Sequence, residues 1–175
     1  MRSMGIDPSS AATGVVVLQD GPKAPVCELE YEILISDVTG VKKQRAICTT
    51  LMTLIHAWKP DKIVVEGYSL NLKNTSSVVP LVELGGILRF CLHLDGLSWY
   101  EPKASQVKKF AAGTGNADKS KMMMHVLKRW GHESKTHNTA DAFALAAMGL
   151  ATANKLDGLT QDMYAVVMGL PARTN

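Results

Sequence analysis

Three carboxylates stand where a carboxylate is costly. Asp7 closes the short apolar stretch Met4-Gly-Ile and precedes the turn Pro8-Ser-Ser-Ala-Ala. Glu66 ends the apolar run Ile63-Val-Val, and Asp141 opens the alanine-rich run of THNTADAFALA. In α/β sheets, strand ends are where sites are built. Acids gathered there destabilise the fold unless something neutralises them. A hard cation such as Mg²⁺, which takes oxygen ligands, does so. Three acids from three distant segments are the pattern of a two-metal phosphodiester hydrolase.

Each acid also has a plain structural reading. Asp7 before Pro8 starts a turn. Glu66-Gly67 is a strand exit. Asn138 reads as a helix N-cap with Asp141 at N3, near the positive end of the helix dipole. The balance shifts with charge. Between 101 and 130, seven Lys and Arg stand against two carboxylates, a local +5 in a chain of +3 overall. A basic segment on a near-neutral chain points to an anionic, phosphate-bearing partner, with a solvated helix face as the alternative.

The elements that must position these groups follow from patterning. Gly5-Ile6 ends a strand, DPSSAA turns, and the β-branched run 13–19 returns as its hairpin partner. A third strand spans 26–36. Apolar residues at helical spacing predict a helix over 42–58, stopped by Pro60. Residues 62–68 form a central strand buried on both faces. Residues 77–95 form a helix apolar on more than one face, with Gly85-Gly86 at its middle. Residues 97–102 are a last strand. A helix, a glycine loop and a helix follow, then a strong helix over 138–153. This order predicts an α/β fold: a mixed central five-stranded sheet, its first three strands antiparallel, flanked by helices. The chain divides into one domain over 1–153 and a tail over 154–175 with a short apolar patch.

At 175 residues, 46% hydrophobic and 20% charged, the chain has the composition of a globular protein with a real core. It has no apolar run long enough to span a bilayer and no signal-like N-terminus. Cys27, Cys48 and Cys91 are widely spaced without a CxxC pair, which argues against zinc ligation and a disulfide framework. A cytoplasmic location and no membrane partner are the expectation.

Five motifs in order resemble the RuvC family of Holliday-junction resolvases, which have the RNase H-like fold. Residues 4–14, MGIDPSSAATG, are similar to the family's first-strand motif GIDPGSxxTG. IVVEGY at 63–68 resembles its fourth-strand acid motif, and LKNTS at 72–76 the lead into its dimer helix. QVKK at 106–109 with GTGNADKS at 113–120 resembles its basic region, and Ala140-Asp-Ala its last acid motif. The resemblance implies roles. Asp7, Glu66 and Asp141 bind two Mg²⁺ ions, with Mn²⁺ substituting. Lys108 and Lys119 assist catalysis beside the cut strand. Tyr68 stacks on junction bases. Lys73, Lys103, Lys109 and Lys121 join Lys108 and Lys119 in holding DNA phosphates.

Many family members carry an acid or a histidine three positions before the last aspartate, where this chain has Asn138. An amide carbonyl can ligate a metal but brings no charge. His137, at i−4 from Asp141, is the rival for that place as a catalytic residue or ligand. The implied function is structure-selective, Mg²⁺-dependent resolution of four-way DNA junctions by a homodimer, the helix over 77–95 forming the interface. Partners of the implied kind are a branch-migration motor, or phage recombination or packaging machinery. Two alternatives stay open: a broader branched or flap DNA nuclease, and a junction-binding protein with weakened catalysis.

Overall fold

The computed structural model describes residues 1–68, 75–170 and 172–173, with the side chains of 75–77 left aside. The hairpin strands β1 (Arg2–Asp7) and β2 (Thr13–Gln19) pair antiparallel, and β3 (Val26–Ile33) joins β2 antiparallel with an irregularity at Val17/Leu18. Helix α1 (Gly40–Trp58) crosses to β4 (Lys62–Val65), parallel to β1. Helix α2 (Thr75–Leu94) leads to the two-residue β5 (Trp99–Tyr100), parallel to β4. Then follow α3 (Ala104–Ala112), α4 (Lys119–Trp130), α5 (His137–Thr152), α6 (Gln161–Met168) and β6 (Ala172–Arg173).

The sheet order is β3-β2-β1-β4-β5-β6. The mixed sheet and its antiparallel first three strands match the expectation. Its strand count does not: β6 pairs antiparallel with β5 as a sixth strand. A two-residue edge strand carries no alternation for sequence patterning to detect. The apolar patch of the tail forms α6, and Leu156, Met163, Val166, Val167 and Leu170 are buried in the same core cluster as α5.

Strand alternation assigns the two faces of the sheet. Met4, Ile6, Val15, Val17, Ile63 and Val65 pack with α1 and α2. Val16, Leu18 and Val64 pack with α3 to α6. Positions 5, 7, 14 and 66 therefore share the α5 face. Helix α5 is buried from Ala142 to Ala151 and made largely of small residues, so it can lie flush on the strands. The closeness is visible at Gly5, where a Cβ would stand 2.0 Å from the Ala142 carbonyl oxygen. At Gly14 it would stand 2.2 Å from the Asn138 carbonyl oxygen. Two glycines of the first-strand motif thus let the helix that carries Asp141 approach the sheet.

Candidate active site

The cross-strand register lines up the site. Asp7 pairs with Gly14, and Gly14 with Glu32 on β3. On the other side, the Glu66 amide donates to the Ile6 carbonyl at 3.0 Å, which sets Glu66 beside Asp7. Above this row sits the start of α5. A cleft of about 480 Å³ opens here, lined by Asp7, Glu66, Asp141, Asn138, Lys108 and Lys119, with Tyr68, Arg89 and the Ser9-Ser10 turn at its rim.

The three carboxylates feel one another. Burial, then the negative charges of Glu66 and Asp141, push Asp7 well above the ordinary carboxylate range, against the pull of Lys119. Burial and then Asp141 push Glu66 up to about 7, opposed by Lys108. Burial raises Asp141, while Lys108, Lys119 and His137 favour its charged form. Asp7 and Glu66 are neighbours whose ionisations are linked, so the charge of one opposes the charge of the other. Groups perturbed this way, in a cleft, mark a functional site.

The donor set is all oxygen, which suits a hard divalent cation. Asp141 Oδ1 is buried and lacks a hydrogen-bond partner, an acceptor waiting for a positive ligand. Among the described residues, no three His, Cys, Asp or Glu side chains are already closed around a single point.

Of the two residues weighed for the fourth place, Asn138 lines the cleft, whereas His137 is exposed and outside the lining, acting on Asp141 through charge. The expectation that Asn138 caps the helix is corrected. Thr136 is the N-cap: its Oγ1 accepts from the Thr139 amide at 3.2 Å, and Thr139 Oγ1 accepts from the Thr136 amide at 3.0 Å. Asn138 is released from capping and instead donates through Nδ2 to Glu32 Oε1 at 2.8 Å.

The lysines divide by element. Lys108 and Lys119 reach the cleft from α3 and the first turn of α4. Lys103, Lys109 and Lys121 are exposed outside its lining. Lys109 pairs with Asp162 of α6 at 3.5 Å and Lys121 with Asp118 at 3.4 Å. Arg129, counted in the basic segment, is structural: it donates to the Ala111 carbonyl at 2.7 Å and meets Met163. Lys73 lies outside the described residues.

Tyr68 is at the rim, seated on Gly85 and under the Arg89 guanidinium, 4.3 Å from the ring centroid. Arg89 also grips Glu101 at 2.8 and 3.2 Å and donates to the Glu66 carbonyl at 3.4 Å. Arg89, Glu101 and Glu32 were not singled out from the sequence. Glu28, Glu30 and Glu32 do alternate along CELEYEI, a period-two signal that could have flagged one strand face.

The solved structure of Thermus thermophilus RuvC superposes with a TM-score of 0.73 at 20% identity, covering 89% of this chain and 98% of its own. The same protein in complex with a Holliday junction substrate gives a TM-score of 0.71 at 21% identity, over the same shares of both chains. This shared architecture defines an α/β protein of the RNase H-like fold. The family model described as crossover junction endodeoxyribonuclease RuvC matches residues 3–149, and the chain belongs to that family. The RuvC crossover junction endodeoxyribonuclease of Synechococcus sp. strain WH7803 is 29% identical over 153 residues, 85% of this chain and 97% of its own.

Proposed function

We propose that this protein resolves four-way DNA junctions by hydrolysing one phosphodiester in each of two opposed strands. The observation that carries the reading is the convergence of Asp7, Glu66 and Asp141 on one cleft rimmed by Lys108 and Lys119. Asp7, Glu66, Asp141 and the Asn138 carbonyl would hold two Mg²⁺ ions, for which Mn²⁺ would substitute; the chemistry supplied there would be activation of a water at neutral pH and offsetting of the charge on the leaving 3′ oxygen. The chain's own residues do the rest. Lys108 and Lys119 draw the scissile phosphate into the cleft and offset the carboxylates' charge, which favours their ionised, ligating forms. Lys103, Lys109 and Lys121 hold flanking phosphates, so affinity falls with salt. Tyr68, held by Arg89 and left partly exposed at the rim, meets a junction base. Junction shape, more than base edges, selects the substrate.

Two cuts need two sites, and a two-fold dimer supplies them. Helix α2 favours that assembly: Val79, Val82, Phe90 and Leu94 are exposed around Gly86, whose surroundings are open. Among the described residues, no helix is long and apolar enough to cross a membrane.

The test is cleavage of four-way, three-way, flap and linear duplex DNA by the wild type and by Asp141→Asn. Preference for the four-way junction, with Asp141→Asn binding but not cutting it, supports the reading. Equal rates on linear duplex overturn junction selectivity in favour of a broader nuclease. Normal cutting by Asp141→Asn overturns the site. Tight junction binding without cutting in Mg²⁺ or Mn²⁺ makes the protein a binder only.

A further inference from the structure

We propose that Glu32, on strand β3, is a positioning residue of this site: it orients Asn138 so that the amide carbonyl faces the carboxylate cleft. The inference rests on the metal-site reading above.

The residues meet because of register and an absent side chain. Glu32 pairs with Gly14, and Gly14 with Asp7, in one row across three strands. Gly14 leaves room for the α5 start to descend, the Asn138 backbone filling the space a Cβ would take. Glu32 then lies under the first turn of α5. One oxygen, Oε1, accepts from Asn138 Nδ2 at 2.8 Å and from Thr136 Oγ1 at 2.9 Å.

The chemistry fixes the amide. An ionised carboxylate only accepts, so the Asn138 NH₂ must turn to Glu32, and Oδ1 is the polar atom left for the cleft. Asn138 lines that cleft beside Asp141. Without Glu32 the amide has two nearly equal orientations, one of which aims N–H donors at a cation. The pair also accounts for an amide at 138. A carboxylate there would stand at hydrogen-bond distance from Glu32 and repel it. The negative charge is retained one shell further out, and the neutral ligand and its outer acid form a matched pair.

The experiment measures Mn²⁺ binding to the full-length protein from the free-ion electron paramagnetic resonance signal, beside thermal melts in EDTA. Glu32→Gln is expected to weaken Mn²⁺ binding about tenfold, the lower end for losing an outer-shell partner. Asn138→Asp alone lowers the melting temperature in EDTA through repulsion with Glu32. The exchanged pair Glu32→Gln with Asn138→Asp recovers both melting temperature and Mn²⁺ affinity, because the new amide donates to the new carboxylate. Thr136→Ala is the structural control: it removes the helix cap and lowers melting, yet leaves Mn²⁺ affinity unchanged. The proposal is overturned if Glu32→Gln binds Mn²⁺ like the wild type. It is also overturned if Thr136→Ala weakens binding as much, since Glu32 would then act only by holding the helix end. A wild type that binds no Mn²⁺ sinks the metal-site reading itself, whatever the variants do.

Discussion

Replacing Glu66 by Gln should make the metal-free protein more stable while destroying its site. In the unfolded chain Glu66 gives up its proton near 4.5, whereas burial and the Asp141 charge hold that proton up to about 7 in the fold. Below 4.5 both states are protonated and there is no penalty. Between 4.5 and about 7 the folded state binds more protons than the unfolded one, so stability falls as pH rises. Above that window the penalty is complete, at most about 3 kcal/mol. For a chain of this size it corresponds to roughly 6–12 °C in melting temperature. The amide of Glu66→Gln carries no charge, so its burial beside Asp141 brings no such penalty.

The assay is thermal melting of wild type and Glu66→Gln, at pH 4.5 and pH 8, with EDTA and with Mg²⁺. In EDTA the variant should melt well above the wild type at pH 8 and alongside it at pH 4.5. Added Mg²⁺ should raise the wild type at pH 8, because a cation that binds only the folded state stabilises it, and raise the variant less. If the two proteins melt together in EDTA at pH 8, the carboxylates do not crowd one another and the electrostatic account of the site fails.

Three further outcomes follow from the same geometry. Gly14→Ala drives a methyl into the Asn138 carbonyl and should cost about 1–3 kcal/mol in urea unfolding while slowing cleavage, since the α5 start must lift from the sheet. Lys119→Ala removes a charge that holds the Asp7 proton affinity down, so the acidic limb of the pH–rate profile should move to higher pH. The same change should lower the salt slope of junction binding by about 1. Phe90→Glu places a charge on the exposed apolar face of α2 and should give monomers by light scattering while the circular dichroism spectrum keeps the folded shape.

The sequence by itself determined the strand–turn–strand around Asp7, the acid at the end of the central apolar strand, the alanine-rich helix of Asp141 and the two lysine-bearing helices. Each is written locally, in alternation, helical spacing or glycine and proline placement. That is why Asp7, Glu66 and Asp141 stand out in the chain itself, whereas Lys108 and Lys119 are marked out within their basic segment only by the resemblance to the RuvC family. The tertiary structure decided what depends on partners far along the chain. It moved the cap of α5 from Asn138 to Thr136 and left His137 outside the cleft. It added a sixth strand too short to carry a pattern. Arg129 became a strut between helices, and Arg89 a clamp on Glu101 and Tyr68. Above all it set Glu32 against Asn138, 106 positions apart. No local signal encodes that pair, because it exists only where β-register and the missing side chain of Gly14 bring an edge strand under a helix end.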